Sequence, residues 1–417
     1  MKGCLDLEFT KKRGEVDNEQ TQASPAREEF MKKLNVAIIG SGFMGKAHSN
    51  AWRQAPKFFQ LGLTPVLKVA CDPNKKDADN FAGNWGWDSV ETDWRNAVTR
   101  PDVDVVDIVT PTFLHKEIAI AAMKNGKHVF CEKPISMNYA EAKEMFEAAE
   151  KAGVVNYLNH NYRRVPAIAF ARKMIDEGKI GQIFHWRGTY LQDWTVDPNF
   201  PLTWHLQKKY AGAGPHYDLN SHSVDLARYL VGEVETVVAI MKTFVSKRPL
   251  PGKGAGTFKA GSATTETGKV TVDDAAFMLA EFENGALGSF ETSRFASGRK
   301  NYNYFEIYGS KGSLTFDLER MNELQFLNLA DPVDEQVFKT ILVTNSTHPY
   351  VGAWWPPGHI IGYEHPFVHA VADFRTAIEK GTKISPNFYD GMRIMQVLEA
   401  AILSSNTGRK VTVSDIK

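Results

Sequence analysis

Apolar and polar positions fall into two regimes along this chain. From Leu34 onward, short unbroken apolar runs alternate with helical periods. The runs Val36–Ile39, Val66–Cys71, Val103–Thr110, His128–Cys131 and Val154–Leu158 read as strands buried on both faces of a parallel sheet. Between them, Lys46–Gln54, Trp94–Val98, His115–Asn125 and Asn138–Ala152 read as helices. The last of these places Ala142, Met145, Phe146 and Ala149 on one face and stops at Gly153. This βα alternation predicts an α/β doubly wound sheet, whose ligands lie in the crevice outside the carboxyl ends of the strands.

After Val165 the pattern changes. A helix over Pro166–Glu177 leads to a long strand, Ile183–Trp194, and another helix is carried within Ala213–Leu230. Strand signals follow at Val234–Phe244, Val270–Glu283, Ala286–Ser293, Tyr302–Tyr308, Ser313–Asp317, Glu323–Leu329 and Gln336–Val343, with a hairpin turn at Asn284-Gly285. They predict an α+β domain built on a large, mainly antiparallel sheet with helices on one side. Nothing later in the chain suffices to cover the other face, so a partner subunit is expected there. Pro249–Lys269 reads as a mobile loop. Pro349–Gly362 is irregular, and its Trp354 and Trp355 either plug the loop to the body or wall a sugar-like ligand. Glu364–Glu379 and Tyr389–Leu403 are closing helices, one of them expected to pack back on the first domain.

Composition narrows the partners. At 417 residues the chain suits two domains. Basic and acidic side chains balance at 49 each, so no global field draws it to nucleic acid or to an anionic membrane. No apolar run reaches the roughly 18 residues of a spanning helix. Cys4, Cys71 and Cys131 have no metal-ligand spacing and cannot all pair internally, which fits a reducing, cytoplasmic setting. Residues 1–30 are polar and charged and read as a flexible extension.

The first apolar run ends in Gly40-Ser41-Gly42-Phe43-Met44-Gly45. In this G-x-G-x-x-G pattern the first glycine permits a tight turn and the second leaves room for a pyrophosphate. The third lets the helix lie close to the strand, while the helix start offers free N–H groups to phosphates. Residues 31–160 therefore read as a dinucleotide-binding domain and 161–417 as a substrate and oligomerisation domain. Asp72 closes the second strand, where a carboxylate accepts both ribose hydroxyls and repels a 2′-phosphate. That favours NAD over NADP, although Lys75 and Lys76 could offset the charge. Thr110, Lys133 and the segment Asn159–Arg164 follow strand ends and could line the same crevice.

Three residues are candidates for the chemistry. Lys133, in Cys131-Glu132-Lys133-Pro134, follows a strand end, and an ammonium there would favour a developing alkoxide. Asp218 and His222 are four apart, a spacing that shares one helix face. Histidine is the natural proton acceptor near neutral pH, and Asp218 could orient it or bind a neighbouring hydroxyl. The same residues also admit plainer readings: a solvated lysine and a local i,i+4 pair. His205, His216, Asp218 and His222 lack the spacing of a zinc site, and no metal is expected.

Beyond these local signals, the stretches IIGSGFMGKAH at 38–48, VFCEKPIS at 129–136, NHNYRR at 159–164 and GAGPHYDLNSHSVDLARYLVGE at 212–233 resemble the Gfo/Idh/MocA oxidoreductase family. The likeness covers nearly everything from Leu34 onward and is greatest to the family's anhydrosugar and inositol dehydrogenases. It implies an N-terminal Rossmann domain and NAD held by Gly40, Gly42, Phe43, Met44, Gly45, Asp72, Thr110, Pro111, His115, Glu132, Lys133, Asn161 and Arg163. It assigns Lys133, Asp218 and His222 to catalysis. Substrate contacts would come from these three with Arg163, Tyr190, Gln192 and Trp194, beside Asp193. A cis Lys133–Pro134 bond and a homodimer or homotetramer joined through the sheet are also implied. Pro215-His216-Tyr217 departs from the small residues common before the catalytic aspartate, and His216 could compete with His222 as base. The activity implied is NAD-dependent oxidation of a ring hydroxyl of an unphosphorylated sugar, anhydrosugar or inositol. The alternatives are a glycoside-processing enzyme that oxidises C3 transiently and eliminates, and a catalytically silent sugar- or NAD-sensing regulator.

Overall fold

The apolar run after Leu34 becomes a strand paired on both edges, in a computed structural model that describes residues 32–252 and 264–417. The N-terminal extension and the middle of the 249–269 loop lie outside the described residues. Strands β1 (Lys32–Ile39), β2 (Leu63–Cys71), β3 (Ser89–Glu91), β4 (Val105–Ile108), β5 (His128–Cys131) and β6 (Asn156–Leu158) form a parallel sheet in the order β3-β2-β1-β4-β5-β6. Ile39 at the end of β1 lies opposite Cys71 of β2 and Ile108 of β4. The strand order reverses there, so the carboxyl ends open a crevice beside β1.

Helices α1 (Phe43–Phe58), α2 (Lys75–Trp85), α3 (Trp94–Thr99), α4 (His115–Lys124) and α5 (Tyr139–Ala152) link these strands. The sequence reading missed α2 and β3. Only Ala78, Phe81 and Ala82 of α2 are buried, which leaves a thin apolar stripe. Its ends were nevertheless marked: the Asn74 side chain accepts from the N–H groups of Lys76 and Asp77, and Gly86 closes the helix at φ 72°.

The second unit contains α6 (Pro166–Asp176), β7 (Ile183–Leu191), α7 (Lys208–Ala211), α8 (Pro215–Asp218), α9 (Asn220–Leu230) and β8 (Val234–Lys242). A short ladder of β9 (Lys247–Pro249) and β10 (Thr267–Lys269) ties together the two ends of the expected loop. Next come β11 (Ala275–Phe282), β12 (Leu287–Ser293), β13 (Tyr302–Gly309), β14 (Gly312–Asp317), β15 (Glu323–Asn328) and β16 (Lys339–Leu342). The chain ends with α10 (His365–Lys380), α11 (Phe388–Thr407) and β17 (Val411–Thr412). The large sheet has nine strands in the order β16-β15-β14-β13-β7-β12-β11-β8-β17. Its pairs are antiparallel except β7 with β12, which run parallel.

Two expected elements are shorter than the pattern suggested. The strand expected over 270–283 begins only at Ala275, because Val270 and Val272 instead join Phe200, Leu202 and Leu206 in a separate apolar cluster. The helix expected within 213–230 breaks at Leu219 into α8 and α9.

Packing explains how the halves are joined. One apolar cluster runs from Ile39 and Ile108 of the first sheet, through Met395 and Leu398 of α11, to Phe290 and Phe305 of the large sheet. Helix α10 packs on α1, with Phe374 edge-on to Trp52 and Phe130. Trp354 stacks near Phe58, with centroids 4.0 Å apart, and donates its indole N–H to His369 at 2.7 Å. Of the two readings of that tryptophan, the plug is the one found. Among the described residues nothing covers the opposite face of the large sheet: Val238, Ile240, Phe277, Leu279 and Leu287 are between 42 % and 71 % exposed. Phe277 lies opposite Ile240 and Leu279 opposite Val238, so these side chains form one patch. Among the described residues no helix is long and apolar enough to cross a membrane.

Candidate active site

A cavity of about 1170 Å³ runs from the glycine turn across the strand ends to the large sheet. At the turn, Gly40 has φ +114°, and a Cβ there would stand 2.8 Å from the Val109 carbonyl oxygen. At Gly42 a Cβ would meet nothing within 4 Å, so the backbone is open to a ligand. Gly45 does not line the cavity; a Cβ on it would come within 2.6 Å of the Gly40 oxygen, so it serves the close helix–strand approach.

Phe43, Met44, Asp72, Thr110 and Pro111 line the same end. The Asp72 carboxylate accepts from the Ser41 hydroxyl and, at 3.0 Å, from the Asn74 N–H. Lys75, one possible counter-charge, is held by Asp79 at 2.7 Å, and Arg95 is shared between Asp93 and Glu117 at 3.2 Å each. Thr110 Oγ1 and Asn161 Nδ2 are buried on this wall with no hydrogen-bond partner among the described residues. Open backbone at a helix start, a carboxylate at the end of β2 and unsatisfied polar atoms together fit a dinucleotide.

Two expected cofactor contacts lie elsewhere. The Arg163 guanidinium turns away from the cavity into a buried ion network, with Nε 2.9 Å from Asp225 Oδ2 and Nη1 2.9 Å from Ser385 Oγ. Asp390, 3.4 Å from Arg163 and 3.1 Å from Arg228, extends this network. A buried guanidinium takes the strongest available anion, and Asp225 of α9 offers it. His115 is also buried, with its ring nitrogens 3.0 Å from the Pro134 oxygen and 2.9 Å from the Thr110 oxygen. It braces the two loops that line the wall and does not itself line it.

At the other end, Lys133 Nζ donates to Asp218 Oδ1 at 2.6 Å. Arg294, just beyond β12, donates to Asp218 Oδ2 and lies over the Trp194 ring, 4.8 Å from its centroid. Nothing in the sequence pattern pointed to Arg294; it is a lone arginine after a strand, brought in by sheet pairing. Burial opposes the Lys133 charge, but Asp218 and Glu132 outweigh it and raise its pKa. Burial likewise opposes ionised Asp218, yet Lys133 and Arg294 hold it well below the usual carboxylate range. The side chains of Lys133 and Asp218 keep 15 % and 32 % of their surface accessible, so the pair faces a cleft that a ligand can enter.

Asp218 and His222 both line this cavity, though not from one continuous helix, since Asp218 ends α8 and His222 lies in α9. His222 stacks on Tyr162 at 4.4 Å and meets His160 edge-on at 5.3 Å. Burial, then Lys133 and His160, push its pKa well below the ordinary imidazole value, and its Nδ1 has no partner. His216 points away, with Nε2 2.8 Å from the Leu398 oxygen. His205, beside Trp204, is pushed down to about 3 by burial and Arg294.

Tyr190, Gln192 and Trp194 line the wall beyond these groups. Asn301 Oδ1 accepts from Tyr190 at 2.7 Å and from Gln192 at 3.0 Å, while Trp194 donates to Gln192 at 2.7 Å. Asp193 holds Lys300 at 2.7 Å at the rim. The Lys133–Pro134 bond is cis.

Residues 34–160 match the oxidoreductase family with an NAD-binding Rossmann fold, and residues 168–315 match the GFO/IDH/MocA C-terminal domain. The chain is similar to levoglucosan dehydrogenase of Pseudarthrobacter phenanthrenivorans, 44 % identical over 391 residues that make up 93 % of this chain and 100 % of that one. It also resembles the structure of levoglucosan dehydrogenase in complex with NADH and levoglucosan, at 43 % identity and TM-score 0.86, covering 92 % of this chain and 100 % of that one. An oxidoreductase domain protein from Kribbella flavida is 47 % identical at TM-score 0.87, with 92 % and 100 % covered.

Asp72→Ala is expected to erode the preference for NAD over NADP, measured as the ratio of the two kcat/KM values. An unchanged ratio would place the ribose contact elsewhere.

Proposed function

This chain belongs to the Gfo/Idh/MocA oxidoreductase family, and we propose that it oxidises a ring hydroxyl of an unphosphorylated sugar, anhydrosugar or inositol to the ketone with NAD. The observation that carries this reading is the Asp218 carboxylate gripped by Lys133 and Arg294 beside a neutral His222, on the wall of the cavity that opens at the glycine turn. Gly40, Ser41 and Gly42 would hold the cofactor phosphates and Asp72 the adenosine ribose. NAD, when bound, supplies the acceptor for the hydride that leaves the carbinol carbon.

The protein's own groups handle the proton and the charge. The Lys133 ammonium stays charged and donates an N–H to the substrate oxygen, which favours the alkoxide. His222 offers a lone pair and accepts the hydroxyl proton. The proton stays on His222 as imidazolium until the ring releases it to solvent entering the open cleft, since among the described residues Nδ1 has no hydrogen-bond partner. Asp218 has both oxygens engaged; it orients Lys133 and carries no proton. Beyond them, the amides of Gln192 and Asn301 suit vicinal hydroxyls, and the Trp194 indole suits a sugar's C–H face. The cations at this end, Arg294 and Lys300, are engaged by Asp218 and Asp193, which favours an unphosphorylated substrate.

Levoglucosan is the first substrate to test, since the 44 % identical relative is named for it. A panel of anhydrosugars, inositols, aldoses and glycosides read by NADH absorbance, with product analysis, tests the reading. Cleavage of a glycoside without net NADH would replace it. A second copy of the chain covers the patch around Ile240 and Leu279, and Cys71 and Cys131, buried and unpaired, suit a reducing cytoplasm.

Lys133→Ala and His222→Ala should each lower turnover at least ~100-fold while NAD still binds; near-normal turnover would remove that residue from the mechanism. Because His222 stays neutral as pH falls, kcat/KM should hold level through pH about 6.5, where an ordinary imidazole titrates. An acid limb centred there, lost in His222→Ala, would contradict this. Ile240→Asp with Leu279→Asp should reduce the particle to a lone protomer by light scattering. An oligomer of unchanged mass would move the interface elsewhere.

A further inference from the structure

Under the crevice floor lies a buried chain of polar groups that the chemistry above does not use. His48, in α1, is 1 % exposed. Its Nδ1 stands 2.9 and 3.0 Å from the two Asp107 oxygens, and its Nε2 stands 2.8 Å from Glu132 Oε1. Asp107 lies inside β4 with no exposed surface and also accepts the Trp52 indole N–H at 2.7 Å. Asn159 donates to Glu132 Oε1 at 2.6 Å, and Glu132 Oε2 accepts the Lys133 backbone N–H at 3.1 Å. The rings of Phe130 and Phe367 pack against the imidazole, with centroids 5.4 and 5.7 Å away.

A carboxylate inside a parallel strand is costly unless it is paired and hydrogen-bonded. Here two carboxylates face one imidazole, one at each ring nitrogen. With both carboxylates ionised, a neutral ring would turn a lone pair on one of them, which favours a proton on each nitrogen; the Asn159 amide nitrogen also stands 3.1 Å from Nε2. Taking the chain as the dehydrogenase proposed above, we propose that His48 is a positioning residue: a fixed imidazolium that keeps Glu132 ionised and in place, and through it seats Lys133 for the reaction. The helix that begins at the phosphate-facing turn is thereby tied to the reacting lysine.

The charge balance supports this. Burial alone would discharge His48, but Asp107 and Glu132 outweigh it and lift its pKa to about 10. Burial would also neutralise Glu132, yet His48 first, then Lys133 and Asn159, hold its pKa down. The other titratable groups that face Glu132 are Cys131 and Lys133 on its own segment, His115 from α4 and Tyr363 ahead of α10. Of these only Lys133 is a cation, because burial lowers the His115 pKa and raises those of Cys131 and Tyr363. Without the His48 charge, Glu132 keeps its burial but loses its first counter-charge, and it takes up a proton as pH falls. The glutamic acid then no longer steadies Lys133.

The test is His48→Gln in the full chain, assayed with levoglucosan and NAD across pH. A new acid limb should appear, with kcat falling about tenfold toward low pH, while NADH affinity by fluorescence is preserved. His48→Gln/Glu132→Gln should lack that limb. A loss of the same factor at every pH marks a merely structural histidine and overturns the inference. Should His48→Gln not fold, ¹⁵N-histidine NMR of the wild-type chain decides it: His48 should remain doubly protonated at pH about 8, above the ordinary imidazole pKa, and a neutral ring there overturns it. Wild-type protein that yields no NADH from any sugar in the panel refutes the dehydrogenase reading, whereas wild-type turnover with a pH-independent loss in His48→Gln refutes only the role of His48.

Discussion

The ion pair between Lys133 and Asp218 is the constraint on which the molecule converges. Lys133 follows the carboxyl end of β5 in the first sheet, whereas Asp218 closes α8 in the second unit. Arg294, from the end of β12, takes the second oxygen of the same carboxylate. Three segments remote in sequence must therefore meet to within hydrogen-bond distance. Charges set in a partly closed cleft are expensive when unpaired, so displacing any one leaves the others uncompensated. The pair contributes most by fixing geometry: it holds an ammonium beside a neutral imidazole.

The packing explains how that geometry is kept. The apolar cluster joins the two sheets through α11. Helix α10 closes the other face of the parallel sheet, and Trp354 fastens the preceding segment to α1. Behind the site, polar groups frame the elements and do not reach the ligand cavity. Arg163 ties the segment after β6 to α9, the helix that carries His222. His115 spans the carbonyls of Thr110 and Pro134. Both residues lie in segments that follow strand ends, where a ligand contact is a natural expectation, and both are instead bound to protein atoms.

The large sheet follows a different logic on each face. Helices α6, α9 and α11 pack on the inner face. The outer face keeps Ile240, Phe277 and Leu279 in contact with water, a contiguous apolar area that a monomer would not ordinarily retain. The same alternation that places Met278 and Ala280 in the core places Phe277 and Leu279 outside. The strand is therefore apolar on both faces, and only one of them is covered by the described residues of the chain.

Much of the architecture was local enough to be read from the sequence. The buried runs, the glycine turn after Val36–Ile39 and the helix stopped at Gly153 each depend on a few neighbouring residues, so the one-dimensional pattern carries them. The pattern did less well where burial was thin or competition was remote. Helix α2 offered three buried side chains and was missed, and the helix expected within 213–230 is divided at Leu219. What only the tertiary structure decided is which polar groups find each other. Arg294 meeting Asp218, Arg163 committed to Asp225, and His48 set between Asp107 and Glu132 all join segments far apart in the chain. The strength of such a pairing depends on distance and burial, and neither quantity exists until the fold has formed.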